Sequence, residues 1–340
     1  MIKKKIIAAV MLALFFLPFT VDKAFSRERK GEVVLDITVN KAVGSHETRL
    51  WLPYPVSDRY QDIEDITITG NFTKSAVYRH RENGNLILYA EWKKPLKKPR
   101  IKVSYMARAE ERIKKDFPAG KSEEIPVEVR RYLKGTEFVP VDGKIKAIAL
   151  KVTAGKKGID KKARAVYDWV VANLKRDPMV RGCGLGDVEV TLAKRSGKCA
   201  DISSVFVAVA RAAGVPAREV FGLRLGKKDH EDITGGYHCW AEFYDPGYGW
   251  VPLDPADVRK IMLVKGLNLK EAKPYREYYF GAVDEYRVAL VKGRNYVLNP
   301  RQDANYVGYF MYPYAEVDGK PLEWLAAQGR LKYKNTFTAK

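Results

Sequence analysis

Ser196-Gly197-Lys198-Cys199-Ala200-Asp201 leads into a run whose apolar residues Ile202, Val205, Phe206, Val209 and Ala213 fall at helical intervals. The spacing predicts an amphipathic helix with Cys199 at its N-terminus, stopped by Gly214 where a left-handed residue is wanted. A cysteine at that place has a physical consequence. The unpaired N–H groups and the positive end of the helix dipole favour thiolate over thiol. The same amides can serve an oxyanion formed during acyl transfer. Gly197 lets the backbone turn tightly and leaves the sulfur uncrowded. Cys199 shares a helix face with Ile202 and Phe206, so it should point toward the interior. A small buried core cysteine is the plainer reading, and a place at the helix start instead of its middle weighs against it.

The second half of the signal is a hairpin. Tyr237-His238-Cys239-Trp240-Ala241-Glu242-Phe243-Tyr244 reads as a strand, Asp245-Pro246-Gly247-Tyr248-Gly249 turns the chain, and Trp250-Val251-Pro252-Leu253-Asp254 returns. If Tyr244 pairs with Trp250, Trp240 lies opposite Asp254. His238 is then diagonally across from Asp254 on the same face, whereas a register shifted by one would separate them. Pro255 holds Asp254 extended. A carboxylate bonded to one imidazole nitrogen fixes the tautomer that takes a proton from sulfur. Alone, His238 reads equally as a satisfied sheet histidine and Asp254 as a turn residue.

Four segments together carry a family resemblance: Gly197-x-Cys199-x-Asp201, Arg211-Ala212-Ala213-Gly214-Val215-Pro216-Ala217-Arg218, His238-x-Trp240-x-Glu242, and Gly249-Trp250-Val251-Pro252-Leu253-Asp254-Pro255. In order and spacing, over roughly residues 160–260, they resemble the transglutaminase-like superfamily. The resemblance implies Cys199 as nucleophile, His238 as base and Asp254 as orienter. It also implies a papain-related, cysteine-protease-like α+β domain in which a Cys-bearing helix packs on an antiparallel sheet. That family holds protein cross-linking enzymes, proteases, amidases and inactive relatives, so the resemblance reaches the triad before it reaches the reaction.

Neighbouring polar residues have other readings. Asp257 is a fallback for Asp254, since both follow the last strand of the hairpin. Asp201 and Glu242 are expected to hold the helix start and the sheet. Cys239 alternates with His238 and should face away from it. Cys183, in the glycine-rich loop Arg181-Gly182-Cys183-Gly184-Leu185-Gly186-Asp187, could pair with Cys239 or Cys199, or edge a cleft. Three cysteines are an odd number, so outside the cytosol one thiol stays free unless it pairs between chains. Neither CxxC nor paired histidines suggest a metal, no calcium loop is evident, and no cofactor is expected.

Outward from this core, the chain of 340 residues has room for two domains. Residues 1–26 have the layout of a secretory signal peptide: Lys3, Lys4 and Lys5, an apolar run from Ile6 to Val21, then Ala24-Phe25-Ser26. Cleavage would leave Arg27 first; an uncleaved membrane anchor is the alternative. Residues 31–111 read as a β-sandwich domain. Val33, Leu35, Ile37 and Val39 alternate, and further strands are expected at Thr48–Leu52, Ile63–Ile68, Ala76–His80, Leu86–Trp92 and Ile101–Ala107. Asn83-Gly84 signals a short hairpin. Residues 112–150 read as a linker with short helices, and 151–340 as the catalytic domain with a C-terminal extension. Its first helix carries Ile159, Ala163, Val166, Trp169, Val170 and Leu174 on one stripe.

The formal net charge is +20, with clusters at Lys93, Lys94, Lys97, Lys98, Arg100 and Lys102, and at Lys156, Lys157, Lys161, Lys162 and Arg164. For a periplasmic or secreted protein this argues for anionic membrane or cell-wall contact and against nucleic acid; a solvated basic surface is the plain alternative. Two functional readings follow. One is an extracytoplasmic thiol enzyme acting on amide or peptide bonds of a protein or peptide substrate through a thioester, with hydrolysis favoured over cross-linking. The other is a catalytically silent module that binds cell-envelope partners.

Overall fold

The computed structural model describes residues 27–40, 45–93, 98–116, 124–304, 307–322 and 331–340. The signal-peptide segment, Lys94 and Lys97 therefore lie outside the described residues. The alternation from Val33 to Val39 becomes the strand Glu28–Val39, where Val33, Ile37 and Val39 are buried and Asp36 is exposed. It pairs antiparallel with Arg100–Glu110, which in turn pairs with Gln61–Gly70. A second sheet is built on Glu47–Tyr54, Leu86–Lys93 and Lys74–Arg79. The expected strands are present, each longer by one or a few residues. The Asn83-Gly84 turn differs. Arg79 pairs with Leu86, so the loop spans residues 80–85, closed by Gly84 N–H donating to the His80 carbonyl at 3.0 Å. Gly84 still takes a positive φ of 73°.

The C-terminal segment departs from expectation. It does not merely extend the second domain. Leu331–Ala339 pairs along the whole of residues 31–39, from Gly31 opposite Ala339 to Val39 opposite Leu331. Tyr314–Val317 pairs with Glu47–Tyr54. Both N-terminal sheets are thus completed by strands from the end of the chain. Period-two patterning reports that a segment is a strand but not which edge it joins. Gly31 shows the closeness: a Cβ there would lie 2.4 Å from the Thr338 carbonyl oxygen.

A third, four-stranded antiparallel sheet runs Gly249–Leu253, Tyr237–Asp245, Ala217–Arg224, Arg287–Lys292. The helix Cys199–Ala212 lies against it, with every residue from Cys199 to Ala212 buried. A helix buried along its whole length needs cover on all sides, and the helices Gly143–Val152, Ile159–Asn173, Val188–Lys194 and Pro255–Lys265 supply it. Gly214 takes φ 82° beyond its end, as the stop signal requires. The three sheets converge. Leu35, Val103 and Tyr105 from the first, Leu52 and Leu88 from the second, and Leu223, Tyr237 and Leu290 from the third line one small cavity. This is a mixed α+β architecture of antiparallel sheets around a buried cysteine-bearing helix.

Candidate active site

The approach to Cys199 is fixed from both sides. Ser196–Gly197 forms a short parallel pairing with Lys175–Arg176. Asp201 folds back over the helix start, accepting from Lys198 N–H at 2.9 Å and from Gly186 N–H at 2.8 Å. It therefore holds both the helix N-terminus and the glycine loop, the structural task expected of it. Gly197 is required for a reason other than an uncrowded sulfur: a Cβ there would sit 2.4 Å from the Asp201 Cβ.

The hairpin register is the one on which the site depends. Tyr244 pairs with Trp250 and Ala241 with Leu253. His238 Nε2 stands 2.7 Å from Asp254 Oδ2, both groups buried. Asp257 Oδ1 is 3.6 Å from the same nitrogen, the longer contact. Asp254 is more than the end of a strand. It caps the helix Pro255–Lys265, its Oδ1 accepting from Asp257 N–H at 2.8 Å, with Pro255 in the first helical position. Asp-Pro is the sequence signature of that arrangement. The cap leaves one carboxylate oxygen for the imidazole and fixes its direction.

Arg287 is the residue that sequence reasoning missed. Its side chain is 1% exposed, and it donates to Asp254 Oδ2, to Asp257 Oδ2 at 2.8 Å and to Asp284 Oδ2 at 2.9 Å. Arg224 also pairs with Asp257. Buried carboxylates survive only when neutralised and hydrogen-bonded, and this cluster meets that need. Desolvation pushes the Asp257 carboxyl up, but Arg224, His238 and Arg287 outweigh it and hold it well below the usual range. Arg287 lies far along the chain from the hairpin, and no local pattern marks it. Glu242, as expected, serves the sheet by pairing with Arg218 at 2.7 Å.

Cys199 is buried, with the sulfurs of Cys183 and Cys239 within 4.8 Å of its own and His238 among the groups that bias its ionisation. Burial opposes its ionisation, but bonds from Cys183, Cys239 and His238 and the imidazole's charge lower its pKa well below that of a free thiol. For His238, burial and Arg224 push the pKa down, while Asp257 and Asp254 more than reverse them and raise it. The two shifts point the same way, toward a thiolate beside an imidazolium. With Nε2 on Asp254, Nδ1 is the nitrogen left for the sulfur.

Two features of the site lie beyond the sequence reading. Cys239 does face away from Trp240, which packs with Val220, Val283 and Ala289. The Cys199 helix, however, covers the sheet face that carries Cys239, Ala241 and Phe243. Cys239 Sγ therefore lies with the Sγ atoms of Cys199 and Cys183, all within 4.8 Å of one another. None of the three is in a disulfide. The helix-start amides are also not all free, because Ala200 N–H donates to the Cys183 carbonyl at 2.9 Å. Trp250 sits at the far end of the hairpin with Arg218 over its ring at 3.7 Å.

A second cluster with metal-ligand residue types, His238, Asp254 and Asp257, also has ligand atoms within 4.8 Å of one another. Arg224 and Arg287 already compensate its carboxylates, so this group reads as an oriented base.

The chain is similar in sequence and in fold to known proteins. The model of the transglutaminase-like superfamily matches residues 146–255. An uncharacterized protein of Haemophilus influenzae is 36% identical over 314 residues, 84% of this chain and 85% of its own length. A protein-glutamine gamma-glutamyltransferase of Pseudomonas aeruginosa is 38% identical over 69 residues, 18% of this chain and 10% of that protein. The crystal structure of a candidate cysteine protease from Cytophaga hutchinsonii superposes with a TM-score of 0.56 at 15% identity, covering 92% of this chain and 99% of that one. The chain belongs to the transglutaminase-like superfamily, with a cysteine-protease-like fold.

Proposed function

We propose that this protein is a thiol acyl-transfer enzyme acting outside the cytoplasm on amide bonds of a protein or peptide. The observation that carries the reading is His238, held by Asp254 at 2.7 Å beside a Cys199 whose pKa its charge helps to lower. In this mechanism Cys199 Sγ attacks the carbonyl carbon. The C–O π pair moves to oxygen, where a backbone N–H at the helix start can donate to it. His238 gives its proton to the departing amine, leaving a thioester, then takes a proton from the incoming nucleophile as the thioester breaks. Asp254 and Arg287 keep the imidazole in place throughout.

Hydrolysis is the favoured outcome. Water is present at about 55 M, so an amine acceptor needs a dedicated site that concentrates it and excludes water. The likeness to a glutamyltransferase over 69 residues supports the transfer reading instead. The deciding experiment offers a glutamine-containing protein with and without a labelled primary amine. Cleavage or ammonia release that depends on Cys199 and ignores the amine supports hydrolysis; label incorporation lost in Cys199→Ala overturns it. Absence of any Cys199-dependent product across a peptide library would favour the silent binding module.

Location outside the cytoplasm rests on the Lys3-to-Ser26 pattern. No helix among the described residues is long and apolar enough to cross a membrane. The basic clusters are proposed to meet an anionic membrane or cell-wall surface. A tagged protein should fractionate with the periplasm, medium or membrane, with Arg27 first if cleaved; cytosolic protein retaining Met1 would refute export.

A further inference from the structure

The three thiols exceed what acyl transfer needs. One sulfur attacks; Cys183 and Cys239 have no step in that chemistry. Yet they arrive beside Cys199 from separate places: the glycine loop, the helix start and the middle of the central strand. All three Sγ atoms lie within 4.8 Å of one another and are buried. A fourth soft donor adjoins them, for Met311 Sδ is 3.9 Å from Cys239 Sγ and is itself fully buried. The surroundings hold the donors in place. Cys183 Sγ is 3.2 Å from the Tyr237 carbonyl, and the Tyr309 hydroxyl donates at 2.6 Å to the carbonyl of Gly184.

From this geometry we infer that Cys183, Cys199, Cys239 and Met311 form a binding site for a soft monovalent cation of the Cu(I) type. Metal–sulfur bonds of about 2.3 Å put the sulfurs of a trigonal site about 4 Å apart, and those of a tetrahedral site slightly closer. The observed spacing needs little movement to reach that. Thiolate with thioether is the donor set that selects Cu(I) over hard cations. Ions that prefer oxygen find no carboxylate in the set. The binding step exchanges protons for the metal: each thiol that ligates releases its proton to solvent, no electron is transferred, and Met311 enters neutral. Because Cys199 is one of the ligands, an occupied site has no free nucleophile. That consequence rests on the thiol-enzyme reading; the site itself does not.

The test uses the reduced mature protein without oxygen, titrated with Cu(I) held by excess bicinchoninate as a coloured competitor. The protein should withdraw one equivalent per chain. X-ray absorption at the copper edge should then show three or four sulfur neighbours at about 2.3 Å. Fewer than three sulfurs, or a shell dominated by nitrogen, overturns the site even if copper binds. Copper left wholly on the competitor also overturns it. Cys183→Ser and Cys239→Ser should each weaken binding by more than the roughly tenfold that losing an outer partner costs. Unchanged affinity in both variants would place the metal elsewhere. Met311→Leu, which preserves bulk in case the serine variants fold poorly, should weaken binding by a smaller factor; equal affinity would remove Met311 from the set. Copper binding that persists in a protein without acyl-transfer activity would separate this proposal from the enzymatic one.

Discussion

At the scale of single residues, the chemistry turns on opposed shifts in neighbouring thiols. Cys199 is lowered, whereas Cys183 is raised by its bond to Cys199 and Cys239 is raised first by burial. Alkylation needs thiolate, so Cys199 should react with iodoacetamide fastest at neutral pH, and its rate should stop rising below the ordinary thiol value of about 8.5. Peptide mapping at a series of pH values checks this; equal labelling of the three cysteines would contradict it. The sign for His238 is opposite. Its raised value keeps the imidazolium above the usual histidine range, so the alkaline fall in acyl-transfer activity should lie above about 6.5. The two limbs belong to the pair and not to either residue alone. His238 also stabilises the fold in its charged form: that contribution is present below the unfolded-state value and is lost as pH rises through the folded one. Gly197 gives a structural prediction at this scale. Gly197→Ala drives a methyl into Asp201, so it should cost roughly 1–3 kcal/mol in a denaturant titration. An unchanged midpoint would mean that the Asp201 cap yields easily.

Elements place these residues, and each element was legible to a different degree. The helix Cys199–Ala212 was readable because capping, periodicity and the glycine stop all agree. The hairpin was readable because its turn residues fix the register, and with it the His238–Asp254 contact. The helix beginning at Pro255 was not expected, though Asp-Pro is a start signal; the strand before it drew attention to the carboxylate as a strand end. Arg287 and the sulfur cluster were illegible for a deeper reason: their partners come from distant segments, and pairing across a sheet leaves no mark on spacing. Two predictions belong here. Asp254→Ala should lower turnover on the order of 10²-fold or more, and beyond the effect of Asp257→Ala, because the 2.7 Å contact is Asp254's. Were Asp257→Ala the more damaging, the orienter would be misassigned. Arg287→Ala leaves the buried Asp254 and Asp257 and the half-buried Asp284 short of a partner and should destabilise by about 3–5 kcal/mol. Arg287→Lys keeps a charge but not the fork that spans Asp254 and Asp257. It should recover stability better than activity, and parallel recovery of both would reduce Arg287 to a structural role.

At the scale of the whole molecule, the division into a sandwich followed by a catalytic domain is too sequential. The last strand, Leu331–Ala339, lies between Glu28–Val39 and His230–Asp232 in the first sheet. It joins the two ends of the chain and touches the site's own support. Asn335 Nδ2 donates to the Tyr237 hydroxyl at 3.2 Å, one residue before His238, and the Asn335 carbonyl accepts from Ile233 N–H at 2.9 Å. Phe337 is fully buried opposite Val33. Ending the chain at residue 330 therefore removes a central strand, not a tail. It would expose ladder edges on both neighbours, a recognised route to aggregation. The truncated protein should be insoluble or lose its cooperative thermal transition, whereas omission of Lys340 alone should leave the transition unchanged. Phe337→Ala separates packing from backbone pairing: it keeps the ladder and should cost about 3–5 kcal/mol. A soluble truncated chain with the full-length melting temperature would mean that the N-terminal sheets are complete without the C-terminal strand. A truncated chain that still melts cooperatively but no longer alkylates rapidly at Cys199 would place the strand's main effect on the His238 strand, through Asn335 and Tyr237.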